Sequence, residues 1–423
     1  MSKDERNFRN PYARLPACLP SSREKASQPP QVPPELSVRL LAALEQTLVE
    51  CDSAYRHAPS ADTSVYTGTS GVALLHLHVA TTLHAEDHRK SREHLLQAQS
   101  LLTHCLSRVP SHSITFLCGA GGPLAIAAVV EAGLGNTDKA KSLLQQLKEL
   151  YTSNKSRFSQ LPSELLYGHV GYLYCLLFIN AYLPGAVSQS LLQEVARVAV
   201  EAGEKGRQAS VPSPLMYTWH GRHYLGAAHG LAGIATLLLQ LKTEQLPSPL
   251  APTINYLTSL QLPSGNFPSS LESCHDSSHH SDRLIHWCHG APGFIHLLSH
   301  AYQMLGEGRY LKAGEMCGEV VWKRGLLRKG YSLCHGAAGN AYTFIQLYHL
   351  TGHTHHWHRA LKFAEWCLSC SERVTRTPDA PLSLFEGSAG VAFFYCDIIM
   401  SSRGKTPFPC LEIPQPKITF TCS

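Results

Sequence analysis

A Gly-x-x-Gly turn followed by an apolar segment recurs seven times in the chain. The copies are Gly68–Gly71, Gly119–Gly122, Gly168–Gly171, Gly230–Gly233, Gly290–Gly293, Gly336–Gly339 and Gly387–Gly390. Successive copies start 51, 49, 62, 60, 46 and 51 residues apart. One such turn says little, but seven at a near-constant period mark a repeat architecture. Each is followed by about a dozen mostly apolar residues, as in Val72-Ala-Leu-Leu-His-Leu-His-Val79 and Phe294-Ile-His-Leu-Leu-Ser-His-Ala301. Apolar nearly all round, these segments read as buried helices. Amphipathic stretches alternate with them. In 138–151, Ala140, Leu143, Leu144, Leu147 and Leu150 follow helical spacing, and in 92–105 Leu95, Leu96, Ala98, Leu101, Leu102 and Cys105 do the same.

Each repeat is therefore expected to hold one outer amphipathic helix and one inner apolar helix. About 50 residues suffice for two helices and their loops. An open solenoid would leave its inner row exposed, so the expectation is closure: an all-α (α/α)7 toroid, with an inner ring wrapped by an outer one. Length alone suggests two or three domains for 423 residues. The repeats instead predict a single barrel over 34–412, an extended proline-rich N-terminal arm at 1–33 and a C-terminal tail at 413–423. The stretch 262–283 reads as a long surface loop.

Several classes are disfavoured. A seven-pass membrane protein would need helices of roughly 30 Å, whereas about 12 residues reach about 18 Å. His76, His78, Glu131 and Asp397 would also be costly in a bilayer. The net charge of +5 is not concentrated in a basic run, so nucleic acid is not an expected partner. The surplus leaves open a weak peripheral contact with anionic membrane. The charged start, Met-Ser-Lys-Asp-Glu-Arg, is unlike a secretory signal. Fourteen scattered cysteines read as reduced thiols, some of them candidate metal ligands. The expected compartment is the cytoplasm, with a membrane-peripheral or nuclear pool left open.

If the repeats are equivalent, the residues before each first glycine form a ring at one end of the barrel: Thr67, Cys118, Tyr167, His229, His289, His335 and Glu386. All are polar or titratable. One position earlier stand Tyr66, Leu117, Leu166, Ala228, Cys288, Cys334 and Phe385. Two adjacent copies thus carry Cys-His in the same register, Cys288-His289 and Cys334-His335. Thiolates with imidazole suit zinc, although buried structural thiols are the alternative. Three protein ligands would leave a fourth position open, and a thiol bound there is deprotonated. The helix N-termini at the same mouth favour anions. The chemistry indicated is thiolate activation. Cys367-x-x-Cys370 lacks a thioredoxin context, the histidines at 353, 355, 356 and 358 read as a solvated loop, and Lys329 and Arg376 read as surface charges.

Trp287-Cys-His-Gly-Ala-Pro-Gly293, Leu333-Cys-His-Gly-Ala-Ala-Gly339, Gly226-Ala-Ala-His-Gly-Leu-Ala-Gly233 and Ser383-Leu-Phe-Glu-Gly-Ser-Ala-Gly390 resemble the eukaryotic LanC-like proteins, relatives of bacterial lanthionine synthetase cyclases. Ser113-Ile-Thr-Phe-Leu-Cys-Gly119, Glu164-Leu-Leu-Tyr-Gly168 and Arg376-Thr-Pro-Asp379 are similar to the glutathione-binding branch. The resemblance spans roughly 9–410 and implies an (α/α)7 barrel with zinc on Cys288, Cys334 and His335. It implies glutathione contacts at Lys329, Arg376, Thr377, Pro378 and Asp379, and a proton-transfer role for His229. His289 stands where the bacterial enzymes carry a tyrosine, which argues against peptide cyclisation. The resemblance implies an enzyme adding the glutathione thiol to dehydroalanine or dehydrobutyrine in proteins, or to small electrophiles. A glutathione-binding redox adaptor without catalysis is the alternative.

Overall fold

The structure, a computed structural model, describes residues 6–13, 31–57, 61–109, 113–153, 155–158, 160–241, 248–274, 280–369, 377–401 and 404–422. The helices in chain order are α1 (Pro34–His57), α2 (Thr69–Thr81), α3 (His88–Leu106), α4 (Gly121–Gly133), α5 (Thr137–Ser153), the short α6 (Lys155–Phe158), α7 (His169–Tyr182) and α8 (Gln189–Lys205). They continue with α9 (Leu231–Leu239), α10 (Leu250–Ser259), the short α11 (Leu271–Cys274), α12 (Ala291–Leu305), α13 (Gly308–Arg324), α14 (Ala337–Thr351), α15 (Thr354–Leu368) and α16 (Ser388–Met400). Among the described residues there is no strand, only isolated bridges.

The seven helices that follow the glycine turns are α2, α4, α7, α9, α12, α14 and α16. Each touches the next, and α16 returns to α2, so the inner ring closes. Every residue of α2 and of α9 is buried. The outer helices bury one stripe each: Leu192, Val195, Ala196, Ala199 and Gly203 in α8 follow the 3.6-residue period. The stripes are narrower than the sequence suggests. Leu96 is 44% exposed, and Leu144 and Leu150 are only partly buried, because helical rotation carries them to the stripe's edge. Outer helices α3, α5, α8, α10, α13 and α15 pack on the inner helix that precedes them, while α1 packs on α16. The first helix thus completes the last repeat and clasps the ring.

The turns require glycine mainly for space. A Cβ on the second glycine of each pair would fall on the carbonyl oxygen six residues earlier: Val65 for Gly71, Phe116 for Gly122, Leu165 for Gly171, Ala227 for Gly233, Trp287 for Gly293, Leu333 for Gly339 and Leu384 for Gly390. The first glycines are mostly extended, as with Gly168 at φ −117°; Gly290, at +110°, is also constrained by its backbone conformation. Gly122→Ala should therefore lower stability by about 3 kcal/mol through overpacking. Gly308→Ala, at an open position, should change it by less than about 0.5 kcal/mol. Denaturant melts of the two variants check this, and a Gly122→Ala protein as stable as the parent would contradict the steric account.

Adjacent turns are laced by backbone hydrogen bonds. The Tyr66 N–H donates to the Leu117 carbonyl at 3.0 Å, Cys288 to Cys334 at 3.4 Å, Cys334 to Phe385 at 2.9 Å and Phe385 to Tyr66 at 3.1 Å. The far end of the ring is crossed by the tail, where Lys417 donates to the Thr81 carbonyl at 3.1 Å and Phe420 to Tyr182 at 2.8 Å. Several buried polar side chains are paired: His78 with Asp397 at 2.8 Å, His76 with Asp52 at 3.0 Å and Glu131 with Lys139 at 2.6 Å.

Two expectations need correction. The stretch 262–283 is not simply a surface loop, because Asn266, Phe267 and Ser270 are buried. Phe267 stacks on Phe294 of α12 at 3.8 Å, and Asn266 accepts the Ala291 N–H at 2.9 Å. This segment braces the fifth turn from outside, while 275–279 lie outside the described residues. The histidines at 353–358 are not a solvated loop either. They open α15, with His356 buried. Cys367 is buried on α15; Cys370 lies outside the described residues.

Candidate active site

The turns preceding α12 and α14 place Cys288 and Cys334 side by side. Cys334 is 3% exposed and stands at the centre of this pair. Its thiol is pushed well above the ordinary range, first by its hydrogen bond with Cys288 and then by burial, while His335 acts in the opposite direction. The Cys334 thiol beside a second sulfur is a donor set that a soft cation would stabilise as thiolate. The Tyr66 hydroxyl donates to the Cys334 sulfur at 2.8 Å, and Tyr66 stacks on Phe385 at 4.7 Å. Burial and the neighbouring thiols keep Tyr66 protonated and therefore a donor. Two thiols and one imidazole thus meet around Cys334, and these residues fit a zinc-class ion.

On the neighbouring part of the mouth, the turn before α9 carries His229. Its Nδ1 lies 2.7 Å from an oxygen of Glu164, a carboxylate 2% exposed that also accepts the Leu166 N–H at 3.0 Å and the Tyr167 N–H. The carboxylate selects the Nδ1–H tautomer and leaves Nε2 for proton exchange. Tyr167 lies parallel to His229 with centroids 6.4 Å apart, Trp219 at 6.2 Å and Tyr224 at 6.0 Å. Tyr224 also lies 5.6 Å from His289, which joins the dyad to the cysteine side. His289 is pushed down to about 4, first by burial and then by His229, His286 and Lys329, so its ring is neutral near pH 7. Tyr167 is 44% exposed and offers an aromatic face beside the dyad.

A small cavity of about 60 Å³ adjoins His335 and is lined by Lys329, Ser332, Pro378, Asp379 and Glu386. It brings together Lys329, Pro378 and Asp379 of the sequence-predicted contacts; Thr377 is exposed just before Pro378, and Arg376 lies outside the described residues. Residues 6–13 lie against the segment that leads to Lys329. The Phe8 N–H donates to Leu326 at 2.7 Å, Arg328 donates to Arg6 at 3.0 Å, and the Arg328 guanidinium sits 4.5 Å over the Phe8 ring. Arg6 also acts electrostatically on buried His286.

Sequence reasoning quoted Glu164 within a motif but gave it no role, and it passed over Trp219, Tyr224 and Arg6. The signal for Glu164 was an acid in the turn before α7, inside an otherwise apolar stretch. Among the described residues, the group of three His, Cys, Asp or Glu side chains whose donor atoms all lie within 4.8 Å of one another is elsewhere, at His353, His355 and His356; the donors of Cys288, Cys334 and His335 are more widely spaced.

Residues 59–413 match the family model described as lanthionine synthetase C-like protein. The chain is 36% identical over 418 residues to the Danio rerio protein named glutathione S-transferase LANCL1, covering 97% of this chain and 100% of that protein. It is 33% identical over 371 residues to the Arabidopsis thaliana LanC-like protein GCL1, covering 84% and 82%. Among solved structures it is similar in fold to nisin cyclase, with a TM-score of 0.61 at 18% identity over 85% of this chain and 93% of that one. None of the described helices is long and apolar enough to cross a membrane.

Proposed function

The chain belongs to the lanthionine synthetase C-like family, and from that premise we propose that it adds the thiol of glutathione to electrophilic alkenes, with dehydroalanine and dehydrobutyrine residues of proteins as the substrate class. The observation that carries this reading is the placing of a thiol-and-imidazole cluster, a polar cavity lined by Lys329 and Asp379, and a carboxylate-held histidine on one barrel mouth. The name of the zebrafish relative supports the choice of thiol.

Cys288, Cys334 and His335 would hold a zinc ion, which when bound supplies the Lewis acidity that keeps a glutathione thiol deprotonated at neutral pH. Lys329 pairs with a glutathione carboxylate, Asp379 faces the tripeptide's ammonium, Thr377 and Pro378 stand beside them, and Arg376, outside the described residues, is proposed as a further carboxylate partner. The sulfur lone pair forms the C–S bond at the alkene's β-carbon, and the π pair moves to the α-carbon and its carbonyl. The proton lost by the glutathione thiol is taken up by Nε2 of His229, which delivers it to the α-carbon once the C–S bond has formed, so no net proton is exchanged. Glu164 holds the ring in place and stabilises it while it is cationic. Tyr167 and Trp219 cover one flank of the acceptor.

Lys329 is exposed, so its pairing is worth the lower end of the charge-assisted range. Lys329→Ala should raise the KM for glutathione about tenfold and leave kcat within about twofold. A glutathione monoester lacking the glycine carboxylate should be less sensitive to the substitution. Steady-state kinetics with both thiols check this. An unchanged KM would remove Lys329 from the site.

A further inference from the structure

α15 begins at Thr354 with His353 just before it and His355, His356 and His358 in its first turns. The Nδ1 of His358 turns back to the Thr354 carbonyl at 2.9 Å and leaves the group. The other three converge, with one donor nitrogen from each of His353, His355 and His356 lying within 4.8 Å of the others. The His355 and His356 rings are 3.8 Å apart by centroid. His356 is 3% exposed, and neither of its ring nitrogens has a hydrogen-bond partner. Burying an unsatisfied polar group costs about 1–3 kcal/mol.

We propose that His353, His355 and His356 form a transition-metal site that takes zinc through three imidazoles, separate from the barrel mouth. Cys334 and His335 precede the N-terminus of α14, whereas His353 follows its C-terminus, and fifteen helical residues span about 22 Å. The site opens onto a groove of about 490 Å³ lined in part by Glu315, Glu319, His355 and His356. Glu319 is engaged by Arg359 at 2.7 Å, so water from the groove supplies the fourth position of a tetrahedral ion. A helix N-terminus repels cations. The ion is therefore held by nitrogen bonds, which excludes calcium and magnesium, since both require oxygen ligands.

The test uses the full chain, stripped with a chelator and titrated with Zn²⁺ and with Co²⁺. Cys334→Ala protein should still take up one equivalent of either ion. Its Co²⁺ spectrum should show d–d bands without thiolate charge transfer, and Zn²⁺ should raise its Tm. Adding His353→Asn and His355→Asn, both at half-buried positions, should abolish that equivalent while circular dichroism stays unchanged. His356→Asn should do the same if it folds. If the mouth holds no ion, wild-type protein takes up one equivalent that is indifferent to Cys334→Ala, and the histidine site stands. Cys334→Ala protein that takes up no Co²⁺, or uptake that survives both histidine substitutions, overturns it.

Discussion

His229→Ala should lower kcat for the proposed glutathione addition by roughly 10²- to 10⁴-fold, the usual range for removing a positioned proton donor, and should leave metal content and glutathione affinity unchanged. The geometry sets this expectation. His229 is anchored through Nδ1 to a nearly inaccessible carboxylate, and three aromatic rings lie within 6.4 Å of it. An imidazole so held loses little orientational freedom when it delivers its proton. Glu164→Gln should give an intermediate fall in kcat, because the amide can hold the ring but cannot stabilise its cationic form. That variant should also keep its KM for glutathione and its metal content, as expected of a positioning residue. Equal turnover in wild type and His229→Ala would move the proton-transfer role elsewhere on the mouth.

On the proposed function, Cys334→Ala should abolish metal binding at the mouth, and the catalysed rate should fall by at least about a hundredfold, towards the rate in buffer. Cys334 shares a hydrogen bond with Cys288, is influenced by His335 and accepts from Tyr66, so no neighbour can substitute for it. The Tyr66 hydroxyl is then left buried without its acceptor, at a cost of about 1–3 kcal/mol. Tyr66→Phe separates the two effects. It should retain the metal and lose less than about tenfold in rate, since it deletes only a bond to a ligand. Metal analysis beside single-turnover kinetics reads both outcomes. A Cys334→Ala protein that keeps the mouth's metal would remove this residue from the ligand set.

The ring of inner helices was legible in the sequence because one steric rule is repeated seven times. Each second glycine lies under the carbonyl six residues before it, and no other residue fits there. Outer helices were legible from their stripes, with errors such as Leu96 at the margin. The clasp of α1 on α16 was not, because it joins the chain's first and last helices and leaves no local pattern.

The site divides in the same way. Residues at two adjacent registers of the repeat, Cys288 and Cys334 at one and His229 at the next, could be lined up from spacing alone. Glu164 could not be paired with His229, since 65 residues separate them and only the fold brings them to 2.7 Å. Lys329 and Arg376 read as ordinary surface charges from the residues alone; the cavity beside His335 sets Lys329 with Asp379, while Arg376 lies outside the described residues. The histidines at 353–356 were misread because a polar run suggests solvent, whereas the turn into α15 buries His356.

The most direct test is a mass-spectrometric time course of a dehydroalanine peptide with glutathione and purified protein, run beside Cys334→Ala and buffer. The account predicts an adduct of glutathione mass that accumulates at least about a hundredfold faster with the wild-type protein than with the variant. Wild-type protein that carries metal, binds glutathione and forms adduct no faster than buffer would contradict catalysis and leave a glutathione-binding adaptor.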